Sequence, residues 1–137
     1  MKTAPAIEVV LSEGPLGPED AVRAPGAGAI VAFEGVIRPT EEGREIAAIE
    51  YEAYRPMAEH QLEALARGAA DRFGLAGVFV RHSVGVVPVG ECSFRLIVAS
   101  AHRAPALEGM AWFIDTMKRD VPIWKRPVFE DAQERNQ

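Results

Sequence analysis

Val78-Phe-Val-Arg-His-Ser-Val-Gly-Val-Val-Pro-Val-Gly-Glu-Cys-Ser-Phe-Arg-Leu-Ile-Val-Ala-Ser100 is the stretch that decides the fold class. Two apolar, β-branched runs, Val78 to Val84 and Ser93 to Ser100, read as strands joined through Gly85-Val-Val-Pro-Val-Gly90. Directly after them Pro105 fits the first turn of a helix, where a missing N–H costs nothing. Leu107, Met110, Ala111, Ile114 and Met117 then repeat at helical spacing until Asp120-Val-Pro122 ends the run.

Working outward toward the N-terminus, Ile7 to Leu11 reads as a short strand, Gly14-Pro15-Leu16-Gly17-Pro18 as a loop, and Glu19 to Arg23 as one or two helical turns. Gly28 to Ile37 is strand-like, with Gly35 marking a bulge or a close backbone contact. Arg38-Pro39-Thr40-Glu41-Glu42-Gly43 supplies turn chemistry, and Ile46 to Tyr54 alternates apolar and polar residues. These two strands are therefore predicted to pair as an antiparallel hairpin with a polar tip. Pro56 begins the first long helix, which gathers Met57, Leu62, Leu65, Ala66, Ala69 and Phe73 on one side and ends at Gly74.

A chain of 137 residues, 48% of them hydrophobic, suits one domain spanning residues 1–137 with a sizeable core. No linker, repeat, signal-peptide-like run or membrane span is visible, so a cytoplasmic location is the default expectation. The formal charge of −5 argues against nucleic acid or a membrane surface as partner, since both favour a basic face. Cys92 is the only cysteine, which excludes an internal disulfide and any Cys-x-x-Cys site, and it reads as a small buried filler. His60, His82 and His102 fall on separate elements, so no metal site is expected, and no fingerprint for a resident cofactor is present.

The basic residues carry more information. Only Lys2, Lys118 and Lys125 are lysines, against twelve arginines, and two of the three fall within Met117-Lys-Arg-Asp-Val-Pro-Ile-Trp-Lys-Arg126. Arginine stays protonated at any usable pH, whereas a lysine that is desolvated or crowded by cations can lose its proton and act as base or nucleophile. Two solvated surface lysines are the plainer reading. The helix runs out near Arg119, so their seven-residue spacing is not helical; that a bend at Pro122 brings both amines to one pocket is an expectation about tertiary structure that spacing alone does not show. His102 and Arg103 stand at a strand-to-helix junction, where free amides and the helix dipole favour an anion; the plainer reading is a helix cap beside a solvated arginine. Arg38 is a further anion-ligand candidate or a surface hairpin residue. Trp124 either stacks on a flat heterocycle or covers the core, while Tyr51 and Tyr54 read as packing residues.

In order along the chain stand Phe33-Glu-Gly-Val-Ile-Arg38, Ile49-Glu-Tyr-Glu-Ala-Tyr54 with Met57-Ala58, His82-Ser-Val-Gly-Val-Val-Pro-Val-Gly-Glu91, Ser100-Ala-His-Arg103, and Lys118 followed by Val121-Pro-Ile-Trp-Lys-Arg126. Together these blocks resemble the large, catalytic subunit family of molybdopterin synthase, from about Gly28 to Arg126. The resemblance implies an α+β fold of the α/β-hammerhead type, with a mostly antiparallel sheet and two main helices. It also implies a homodimer of large subunits, each binding a small ubiquitin-like sulfur-carrier subunit. The implied activity transfers sulfur from the carrier's C-terminal thiocarboxylate to cyclic pyranopterin monophosphate, building the dithiolene of molybdopterin. By motif, Lys118 and Lys125 take the catalytic places, and Arg38, His102 and Arg103 bind the anionic pterin, the last two across the dimer. The tail departs from the family: Pro127 replaces an acidic residue, and Phe129 and Arg135 are the candidates to replace a tryptophan and an arginine. The rival reading is a non-catalytic dimeric module that holds a phosphorylated small molecule.

Overall fold

The computed structural model describes residues 4–19 and 21–130. In chain order the elements are β1 (Ala6–Glu13), β2 (Ala29–Val36), β3 (Thr40–Glu41), β4 (Arg44–Ala53), α1 (Met57–Phe73), β5 (Gly77–Pro88), β6 (Cys92–Ser100), α2 (Arg103–Asp120) and β7 (Ile123–Phe129). The α+β class, the two main helices and the mostly antiparallel sheet agree with expectation. Among the described residues, only β1 and β5 pair in parallel. Among the described residues, no helix is long and apolar enough to cross a membrane.

β5 is the spine of the sheet. Its first half lies between β1 and β6, and its last residues, Gly85 to Pro88, pair with β4. Gly85 to Gly90 was expected to be a connecting segment, but the strand continues to Pro88. Burial keeps alternating there, with Val86 47% exposed and Val87 fully buried. Gly85 has φ 79°, a left-handed conformation that residues with a side chain rarely adopt, and there the strand passes from one set of partners to the other.

The predicted hairpin of β2 with β4 does not form. β2 runs antiparallel to β6, from Ala29 opposite Ser100 to Val36 opposite Cys92, with the expected bulge between Gly35 and Val36. β4 instead lies between β5 and β7. The polar tip survives as the two-residue pairing of β3 with β4, closed by Glu42 and Gly43 at φ 54° and 73°. Glu19 and Ala21 to Arg23 have no helical structure, contrary to expectation.

Both helices cover the sheet through one core. Leu62, Ala66 and Ala69 of α1 and Ala106, Met110, Phe113 and Met117 of α2 pack with Val78, Val80, Leu96 and Val98 of the sheet. Each large apolar side chain buried there contributes roughly 1.5–3 kcal/mol. Alanines on the inner face of α1 leave room for Phe113, which is fully buried. On α2 the buried row is Ala106, Met110, Phe113 and Met117, while Leu107 is 52% exposed and Ala111 is also exposed. Leu107, Ala111 and Ile114 form the adjacent i, i+4, i+7 row, which flanks the core and does not enter it. α1 stops at Gly74, whose N–H donates to the Ala70 carbonyl, and α2 stops where Val121 donates to Met117 ahead of Pro122. A second, smaller core of Ile37, Ile46, Ile49 and Val87 lies beside Tyr51, Val89 and Phe129.

Candidate active site

A cavity of about 620 Å³ is lined by residues of both cores, including Phe94 and Met117 from the first and Ile37, Ile46 and Ile49 from the second. Lys118, Lys125 and Arg38 line it as well. Lys118 occupies the last turn of α2, where unpaired carbonyls favour a cation. Pro122 then ends the helix and the chain turns into β7, which places Lys125 opposite Tyr51 of β4. Directly opposed residues of an antiparallel pair share a face, so Lys125 and Tyr51 both reach the cavity. The bend at Pro122 thus brings both lysines to one site.

Their environment is not the desolvated one that the sequence reading invoked. Lys118 and Lys125 are exposed, and the Lys125 ammonium donates to a Glu41 oxygen at 2.8 Å. Arg38 lies 3.9 Å from the other Glu41 oxygen. Glu41, on the short β3 strand, therefore stands between two cations, and its hydrogen bond from Lys125 holds its carboxyl below the ordinary carboxylate value.

The opposite side of the cavity is buried. Tyr51 and Ser93 share a hydrogen bond at 3.0 Å, and the Ser93 hydroxyl also reaches the Gly35 carbonyl at 3.5 Å. His82 is 6% exposed, edge-on to Tyr51 at 5.1 Å and tilted against Phe94 at 5.6 Å. Its Nδ1 lies 2.8 Å from the Ser83 carbonyl, which can only accept, so Nδ1 carries the proton. Burial pushes the His82 pKa below its ordinary value, partly offset by that bond. Sequence reasoning does not single out His82, because a lone histidine on a strand resembles any core residue; its in-phase spacing with Val78 and Val80 signals only that it faces inward.

His102 and Arg103 do not line this cavity. Both are exposed at the start of α2, about 25 Å from its last turn at 1.5 Å per residue. His102 occupies the N-cap position but its side chain makes no capping bond. Trp124 and Tyr54 are 58% and 62% exposed, so in this chain neither covers the core, and the packing expected of Tyr54 is not found. Tyr51 does pack. Cys92 is only partly buried; desolvation raises its thiol pKa, and it does not line the cavity. Phe129 packs on the second core under the Arg44 guanidinium, 3.9 Å from its ring centre. Arg135 lies outside the described residues.

A protein-family model described as MoaE protein matches residues 11–120. The chain belongs to the MoaE family. That match takes in Arg38, His102, Arg103 and Lys118, and Lys125 lies just beyond it. The molybdopterin synthase catalytic subunit of Thermoplasma volcanium is 41% identical over 127 residues, covering 90% of this chain and 93% of its own length. The human protein of the same name is 40% identical over 111 residues, covering 81% of this chain. This chain spans 59% of the human relative's length. Among solved structures, molybdopterin synthase from Staphylococcus aureus superposes with a TM-score of 0.77 at 27% identity, covering 96% of this chain and 95% of that one.

Proposed function

We propose that this MoaE-family chain is the catalytic subunit of a molybdopterin synthase acting in the cytoplasm. In this reading it transfers sulfur from the thiocarboxylated C-terminus of a small ubiquitin-like carrier subunit to cyclic pyranopterin monophosphate, forming the molybdopterin dithiolene. The observation that carries it is the convergence of Lys118, Lys125 and Arg38 on one cavity with an aromatic wall. The volume lies in the range of small-molecule sites, the cations suit a phosphate, and the aromatic residues suit a flat heterocycle.

A carrier's thiocarboxylate as sulfur donor is what membership of the family suggests, and the single cysteine, whose thiol desolvation keeps protonated and which does not line the cavity, offers no competing donor there. Opening the pterin ring and expelling oxygen requires proton transfer or a covalent amine intermediate, a role for Lys118 with Lys125 in support. Arg38 holds the substrate's negative charge. His102 and Arg103, a helix length away, act on the cavity of the neighbouring subunit in a homodimer.

The test compares Lys118→Ala with Lys118→Arg in product formation from the pterin and thiocarboxylated carrier. Both variants are expected to fold and to lose activity, because arginine keeps the charge and removes the titratable amine. Full activity in Lys118→Arg removes the proposed acid–base or covalent role of the Lys118 amine, and a wild type that binds the pterin but forms no product leaves an anion-binding module.

A further inference from the structure

We propose that His82 is a specificity residue of this cavity, its Nε2 accepting a hydrogen bond from an N–H or O–H group on the edge of the bound heterocycle. This rests on reading the cavity as the pterin site. Nδ1 donates to the Ser83 carbonyl at 2.8 Å and is thereby satisfied. Nε2 has no protein partner among the described residues, yet it is not sealed off: the one fully buried polar side-chain atom without a partner among them is Glu59 Oε1. His82 as a whole is 6% exposed, and it lines the cavity. A nitrogen that is neither bonded nor sealed, on a ring that lines a cavity, faces that cavity.

Its chemical sense is fixed by the surroundings. With the proton on Nδ1 and the ring desolvated, the neutral form presents a lone pair at Nε2, so the group accepts and does not donate. Tyr51 and Phe94 hold the ring from two sides, at 5.1 and 5.6 Å between centroids, so the lone pair points in one direction. The remaining polar atoms of this wall are used on each other, Tyr51 with Ser93 and Ser93 with Gly35. Rim cations recognise charge and so accept any anion of suitable size, whereas a single buried acceptor rejects a ligand that presents a lone pair at the same place. A phosphate-bearing heterocycle with an N–H edge satisfies both.

The test uses two variants and one wild-type measurement. His82→Asn keeps a donor where Nδ1 was and deletes Nε2; His82→Gln places an amide where Nε2 was. Expected is a rise of about tenfold in KM for cyclic pyranopterin monophosphate in His82→Asn, with KM for the carrier unchanged, and recovery to within about threefold of wild type in His82→Gln. A folded His82→Asn with wild-type KM for the pterin overturns the proposal, because a purely structural histidine lowers melting temperature without moving that constant. Should His82→Asn not fold, the wild-type protein labelled with ¹⁵N-histidine decides: the Nε2 resonance of His82 moves when the pterin is added, and a static resonance overturns the proposal. Product formation by the wild type beside a static His82 signal defeats this inference alone. No product and no pterin binding in the wild type defeats the functional reading beneath it.

Discussion

At the rim of the cavity Lys118, Lys125 and Arg38 are exposed, whereas in its wall Ser93, Phe94 and His82 are 3%, 6% and 6% exposed. The rim residues sit at element ends and in an edge strand, and the side chains of Arg38 and Lys125 each pair with the Glu41 carboxylate alone among the described residues. The wall residues belong to β4, β5 and β6, and Phe94 is also part of the main core. Charge at the rim is therefore nearly free to vary without cost to folding, while the wall binds and folds with the same atoms. A rim substitution tests chemistry directly, and a wall substitution needs a stability control beside it.

The contrast can be broken by experiment. Lys118→Ala is expected to lower product formation by about 10²–10⁴-fold while melting temperature moves by less than about 2 °C. Comparable losses of stability and activity there would erase the distinction between rim and wall. Phe94→Ala should cost about 3–5 kcal/mol in urea unfolding, since it removes a buried ring of the main core that packs against Phe33 and His82. A cost below about 1 kcal/mol would show the wall to be loosely packed.

Two smaller effects depend on pH. His82 has a folded-state pKa below its ordinary 6.5, so beneath that pH the unfolded chain takes up a proton that the folded chain refuses. Stability is thus expected to fall as pH drops from about 6.5 toward the depressed value, and to be unaffected by this group above it. Urea midpoints at two pH values in wild type and His82→Asn measure it: the variant should lose that part of the acid sensitivity. Glu41 is depressed by its bond from Lys125, so its contribution is present above the ordinary 4.5 and disappears as pH falls through the lowered folded value. At neutral pH Glu41→Gln should change stability by less than about 1 kcal/mol, with the difference shrinking as salt is raised.

Local signals were legible where neighbours in sequence are neighbours in space. Gly74 and Pro122 marked both helix ends, and Gly35 marked the bulge, because caps and bulges are set within a few residues. Pairing was not legible. Proximity along the chain favoured β2 with β4, but β2 has a full register available against β6, some sixty residues later, and no local rule states that preference. Gly85 was read as a break because glycine usually interrupts a strand, and only the partners on either side show that here it bends one. The lysines were found by their rarity in an arginine-rich chain, whereas His82 carries no mark in the sequence that separates a cavity wall from a core.

The residues alone determined the chemical types available, two amines near a proline bend and three anion-binding candidates, and with the ordered motifs they identified the family. Side-chain chemistry and local turn geometry are properties of short stretches, and short stretches are what a sequence displays. Only the tertiary structure decided which of those groups meet. It joined Arg38 to both lysines, set Glu41 between two of the cations, and left His102 and Arg103 at the far end of α2. Those placements depend on strand partners distant in sequence and on a helix that carries its two ends about 25 Å apart.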